Sequence, residues 1–188
     1  MNKPSTEKQS ISTLSHAGQS QKLRFLTFTA LFAALITILT AYIGHIPIGT
    51  GYIHFGDCLI YLAAAMLPLP YAIAATAIGG GLADLLTSPL WAPATILIKS
   101  LLVLLFSSKQ PKLLTPRNIA ACAGGLVISC TGYFIARLII YGLNGASFLA
   151  TLITSVGGNI IQSVGSAIFF VIFATFLDKL GFKQRIYN

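Results

Sequence analysis

Charge is what this sequence has least of. Twelve Lys or Arg and four Asp or Glu make up 9% of the 188 residues, where an ordinary soluble domain carries about 25%. With so little charge the chain has no ordinary water-facing surface. Cysteine is scarce too. Cys58, Cys122 and Cys130 show no Cys-x-x-Cys spacing and read as small apolar filler. Tryptophan occurs once, at Trp91. There is no Walker A loop, no Gly-x-Ser-x-Gly, no His-Glu-x-x-His and no cluster of Asp able to hold a metal with a diphosphate. The sequence thus reads as a non-enzyme without a cofactor of its own, and any ATP-driven step belongs to another subunit.

What is present is apolar. The hydrophobic share is 55% and the mean hydropathy +0.82. A soluble fold of this size cannot hide that much apolar surface, and the same figures exclude a disordered chain. The net charge of +8 does not point to nucleic acid, because the bases are few and scattered, not set in a dense stripe. The composition specifies an all-α integral membrane protein. Barrel strands would alternate over about ten residues, whereas six continuous apolar runs occur here, at 25–43, 57–67, 71–87, 92–107, 119–143 and 148–177. They predict a six-transmembrane-helix bundle over 23–180, between a disordered cytoplasmic tail at 1–22 and a cytoplasmic tail at 181–188. The second and fourth runs fall at or below the roughly 20 residues that span a bilayer as a helix.

The bases give an orientation. Lys3, Lys8, Lys22 and Arg24 precede the first run, Lys109, Lys112 and Arg117 lie between the fourth and fifth, and Lys179, Lys183 and Arg185 follow the sixth. The opposite connections contain no Lys or Arg. By the positive-inside rule both termini are cytoplasmic, in a multi-pass plasma-membrane protein.

Charge inside a span is a functional-site hypothesis. Asp84 and Lys99 lie on consecutive helices, either as a buried ion pair or as the lining of a polar cavity. Tyr133, Arg137 and Tyr141 are four apart and share one helix face. Arg137 either snorkels to the surface or completes an aromatic–cation–aromatic face for a ring-shaped ligand. Asn159 and Gln162 are three apart. Their carboxamides serve helix–helix hydrogen bonding or a neutral heterocycle. Trp91 is an interfacial anchor or a stacking surface. The loop 44–56 has four glycines and reads as a surface loop or as a lid, with His45, Pro47, Gly49, Gly51 and Tyr52 in the lid and His54 toward the ligand. His45, His54 and Asp57 match no metal-ligand spacing, so no metal is expected, and Asp57 reads as the cap of the next helix. Ala30 with Ala34, and Ala75, Gly79 and Ala83, are small-residue steps that let helix backbones approach.

Several of these segments together carry a resemblance: Ala30-x-x-x-Ala34, Phe55-Gly56-Asp57, Gly81-Leu-Ala-Asp84 and Pro93-Ala-Thr-Ile-Leu-Ile-Lys99. Within the six-helix frame, the stretch 23–180 resembles the substrate-binding S components of energy-coupling factor (ECF) vitamin transporters. It looks most like the branch that includes hydroxymethylpyrimidine and pyridoxine importers. The resemblance implies a high-affinity vitamin-binding subunit of an ABC-type importer, with the first outer loop as lid. Its partners are a membrane T subunit and two ATP-binding-cassette ATPases, and Ala30 and Ala34 inherit the T-subunit contact. The chain begins Met1-Asn2-Lys3 without the Met-His of the cobalt and nickel branch, and it lacks the several tryptophans of the thiamine branch. Riboflavin and pantothenate stay open as ligands. Two other readings stand beside this one. The first is a stand-alone proton-coupled carrier or channel for a small polar solute, using Asp84 and Lys99. The second is a small lipid-acting membrane enzyme, for which no nucleophile–base or metal set is visible.

Overall fold

A computed structural model describes residues 4–43, 46–48, 51–142 and 145–187. The helices are α1 (Pro4–Ala41), α2 (Asp57–Met66), α3 (Leu69–Thr87), α4 (Ala92–Val103), α5 (Pro116–Tyr141), α6 (Gly145–Lys179) and α7 (Phe182–Tyr187), with a 3-10 turn at Pro89–Trp91. A small antiparallel hairpin joins α1 to α2. It pairs β1 (Ile46–Ile48) with β2 (Gly51–Ile53), Ile46 opposite Ile53 and Pro47 opposite Tyr52.

The result is an all-α bundle with one hairpin. Among the described residues, four segments are long and apolar enough to cross a membrane: Gly18–Ala41, Leu69–Thr87, Pro116–Tyr141 and Val156–Lys179. α1 starts at Pro4, within the stretch expected to be a tail, and its polar first half continues into the apolar one without a break.

α2 has 10 residues and is only about 15 Å long at ~1.5 Å per residue. It has no need to match a bilayer, because α1, α3, α4 and α6 enclose it and nine of its ten residues are buried. A buried helix end leaves carbonyls that need donors. α7 provides them: Lys183 Nζ donates to Ala65 O at 2.7 Å and Tyr187 OH to Met66 O at 3.0 Å. The end of the bundle bearing the hairpin is therefore opposite the end bearing α7.

The most extensive helix contact is α1 on α3. Ala72, Ala75, Gly79 and Ala83 form its buried small face. Thr37 Oγ1 donates to Ala33 O at 2.9 Å and to Gly79 O at 3.0 Å, so the two backbones nearly touch. Ala30 and Ala34 lie elsewhere on α1, exposed beside Leu31 and Leu35. They take no part in this packing.

The α4–α5 connection is tied down by polar groups. The Asn118 side chain accepts from Ser107 N–H at 2.8 Å and donates to Ser107 O at 3.1 Å and Leu113 O at 2.8 Å. The Asp178 carboxylate accepts from Leu113 N–H at 2.7 Å and Leu114 N–H at 2.9 Å. Thr115 caps α5 by accepting from Asn118 N–H at 3.2 Å.

Candidate ligand site

Asp57 opens α2 at the hairpin end. The cap position is Gly56, and no side-chain cap bond forms there, which corrects the capping role expected for Asp57. The carboxylate is instead fully buried, at a helix N-terminus that favours negative charge. Lys99 Nζ lies 2.8 Å from each of its oxygens. This corrects the expected partnership of Lys99 with Asp84. The 3-10 turn makes α3 and α4 neighbours, but the Lys99 side chain crosses to α2. Asp84 is buried on α3.

Gln162 completes the ion pair from α6. Its Nε2 donates to Asp57 Oδ2 at 3.0 Å, and its Oε1 accepts from His54 N–H at 3.4 Å. The His54 ring accepts from Gly56 N–H through Nδ1 at 3.0 Å, so the neutral ring carries its proton on Nε2. One carboxamide thus links the end of the hairpin segment, the start of α2 and the middle of α6.

A second group adjoins the first. Trp91 lies 6.1 Å from Tyr133 and 6.2 Å from Tyr141, ring centre to ring centre. The Arg137 guanidinium sits 5.7 Å from the Trp91 ring and 5.9 Å from the Tyr141 ring, within cation–π range. Tyr133 OH is 2.9 Å from Thr95 Oγ1, and Lys99 Nζ is 5.3 Å from the Tyr133 ring. Lys99 therefore bridges the ion pair and the aromatic group. Asn159 is half-buried one turn before Gln162 on α6.

The structure brings together Lys99, Gln162, His54, Tyr133, Trp91, Arg137 and Tyr141 from the sequence-predicted set. Pro47, Gly51 and Tyr52 are backbone positions of the hairpin, while His45 and Gly49 lie outside the described residues. Sequence reasoning missed Asp57 and Thr95. For Asp57 a signal existed: it is one of only two acidic residues within the apolar runs, and Lys99 requires a counter-charge. Among the described residues no three His, Cys, Asp or Glu side chains are placed to hold a metal ion. The arrangement can stack a flat ring on aromatic faces and offer it carboxamide and cationic donors.

The model of the family "ECF-type riboflavin transporter, S component" matches residues 20–179. A Pyrococcus woesei protein described as an uncharacterized protein in gap 3'region is 31% identical over 120 residues, covering 62% of this chain and 80% of that protein. No solved structure matches the chain. The family match overturns the hydroxymethylpyrimidine/pyridoxine assignment: the branch is the riboflavin one.

Proposed function

The chain belongs to the S components of ECF-type riboflavin transporters, and from that premise we propose that it captures riboflavin for import. The observation that carries this reading is the family match across 20–179. As a transport subunit of that family it is not an enzyme. Its energy comes from a T subunit and two ATP-binding-cassette ATPases. The frame is six membrane segments over 23–180 in the plasma membrane, with the polar tails 1–22 and 181–188 in the cytoplasm, since the bases cluster at those ends. The hairpin end then faces outward, and the loop from His45 through Tyr52 acts as its lid.

In this reading the flavin ring stacks among Trp91, Tyr133 and Tyr141. Arg137, Asn159 and Gln162 supply its hydrogen bonds, and Lys99, paired with Asp57, forms the floor. Asp84 and His54 complete the binding set. Exposed Ala30 and Ala34 form the T-subunit contact, because small side chains admit a close helix.

Trp91 is the only tryptophan, so its fluorescence reports directly on a flavin stacked beside it. Titrating the purified chain with riboflavin is expected to quench Trp91 to saturation at one ligand per chain, and Tyr133→Ala is expected to weaken that binding. Absence of riboflavin binding by calorimetry would overturn the proposal. Co-expression with the host's T subunit and ATPases should yield a complex that takes up riboflavin only with ATP.

A further inference from the structure

α5 and α6 supply two of the segments long and apolar enough to span a membrane, Pro116–Tyr141 and Val156–Lys179. Between them runs an open groove of about 500 Å³. Cys122, Ala123 and Leu126 form its α5 side, and Ala167, Ile168 and Ile172 belong to its α6 side. The small side chains at 122, 123 and 167 make the hollow, and the longer ones raise its rims. The polar side chains of the lining are withdrawn from it: Cys122 Sγ donates to Asn118 O at 3.3 Å, and Ser163 is buried. The hollow therefore presents hydrocarbon, and its rim residues Ile168 and Ile172 are exposed.

Along α6 the lining reaches from Ser163 to Ile172, about 14 Å at ~1.5 Å per residue. That is close to half of the roughly 30 Å hydrocarbon core of a bilayer, the depth of one leaflet. A neighbouring spanning helix would cross the whole core and call for a groove of full depth. The groove lies toward the basic end of the bundle, with Ile172 about 10 Å from Lys179 and Cys122 about 9 Å from the start of α5 at Pro116. Exposed Lys179 continues the α6 face that carries Ile168, Ile172 and Thr175. Exposed Lys112 adjoins it, because the Asp178 carboxylate accepts from Leu113 N–H and Leu114 N–H. Two ammonium groups against one carboxylate leave this mouth positive. Arg117 is turned toward α4 instead, where its Nε donates to Leu105 O at 3.3 Å.

We propose that this groove holds one acyl chain of an anionic phospholipid from the leaflet at the basic end, with the lipid phosphate against Lys112 and Lys179. The apolar hollow fits a hydrocarbon chain in chemistry, and its length fits one leaflet. The positive mouth selects the headgroup, since clustered Lys or Arg at a membrane surface attract anionic lipid. The lipid site is separate from riboflavin capture and requires only that α5 and α6 cross a bilayer.

Photo-crosslinking of the full-length chain in nanodiscs, with the labelled residues mapped by mass spectrometry, tests the site. The probes are phosphatidylglycerol and phosphatidylcholine carrying the same diazirine-bearing acyl chain. Phosphatidylglycerol is expected to label Ala167, Ile168 and Ile172 several-fold more than phosphatidylcholine does, and several-fold more than it labels exposed Leu26 and Leu31 on α1. Equal labelling by the two lipids would overturn the headgroup contact, and equal labelling of α1 and the groove would overturn the groove itself. Lys112→Gln with Lys179→Gln should bring phosphatidylglycerol down to the phosphatidylcholine level. Ala123→Phe with Ala167→Phe should fill the hollow and abolish the excess at Ile168 and Ile172. Unchanged labelling in either variant counts against the proposal. The lysine variant alters only exposed side chains, so it decides the matter even if the filled groove fails to fold. Labelling that disappears once the T subunit and ATPases are assembled would assign the groove to a neighbouring subunit and overturn the lipid as its occupant.

Discussion

Lys99 holds its ammonium 2.8 Å from both oxygens of Asp57, and neither side chain is exposed. Breaking such a pair from one side strands a buried charge, at a cost of about 3–5 kcal/mol, whereas replacing both partners by neutral groups is far milder. Lys99→Met and Asp57→Asn are each expected to lower the melting temperature sharply in detergent, with the double variant recovering most of the loss. Additive losses would show that the two residues act separately. Lys183 behaves differently because it lies outside the spans. Burial pulls its ammonium down from 10.5 to about 8, with Asp178 opposing that effect. Below pH 8 the side chain is charged in both folded and unfolded chains. Between pH 8 and 10.5 the unfolded chain holds a proton that the folded chain has released, so stability rises with pH across that window. A neutral amine still donates to Ala65 O. Melting temperature measured against pH should rise through this window in the wild type relative to Lys183→Gln, and parallel curves would refute the assignment.

Among the elements, α1 and α3 depend on a glycine. A Cβ at Gly79 would meet Ala33 O at 2.8 Å and Ile36 Cβ at 2.9 Å, whereas one at Gly157 on α6 meets nothing within 4 Å. Gly79→Ala is expected to destabilise by about 1–3 kcal/mol through overpacking. Gly157→Ala should be neutral or stabilising by up to about 1 kcal/mol, from the better helix propensity of alanine. Thermal unfolding of the two variants tests the opposite signs. Long helices such as α5 and α6 were legible because apolar runs of more than about 20 residues admit few alternatives in a membrane. The hairpin was not, since strands of three residues are too short to display an alternating pattern. α7 was hidden as well: its six residues look like a tail until Lys183 and Tyr187 are seen to satisfy carbonyls at the end of α2. The partner of Lys99 was misjudged because neighbouring helices in sequence suggested Asp84, while the side chain's direction favours α2.

At the scale of the whole molecule, the family was readable and its branch was not. The matched segments serve the buried charge, through Phe55-Gly56-Asp57 and Lys99, and close packing, through the glycine-rich α3, while the α1 step lies on an exposed face. The candidate site joins side chains from α2, α4, α5 and α6, as Asp57, Lys99, Tyr133 and Gln162 show, and no linear pattern encodes that arrangement. A related division separates binding from transport. Residues that face inward, such as Gln162 and Lys99, can touch a ligand. Ala30 and Ala34 face outward on α1, among exposed Leu31 and Leu35, and can touch only lipid or another subunit. Bulky side chains there push a neighbouring helix away without disturbing the α1–α3 contact, which is made through Ala33, Ile36 and Thr37. Ala30→Trp with Ala34→Trp is therefore expected to leave riboflavin affinity and melting temperature unchanged in the isolated chain. Riboflavin uptake by vesicles containing the T subunit and both ATPases should fall to background, and copurification of the complex should be lost. Retained uptake would remove Ala30 and Ala34 from the subunit contact, while lost binding in the isolated chain would mean that this face of α1 supports the ligand site itself.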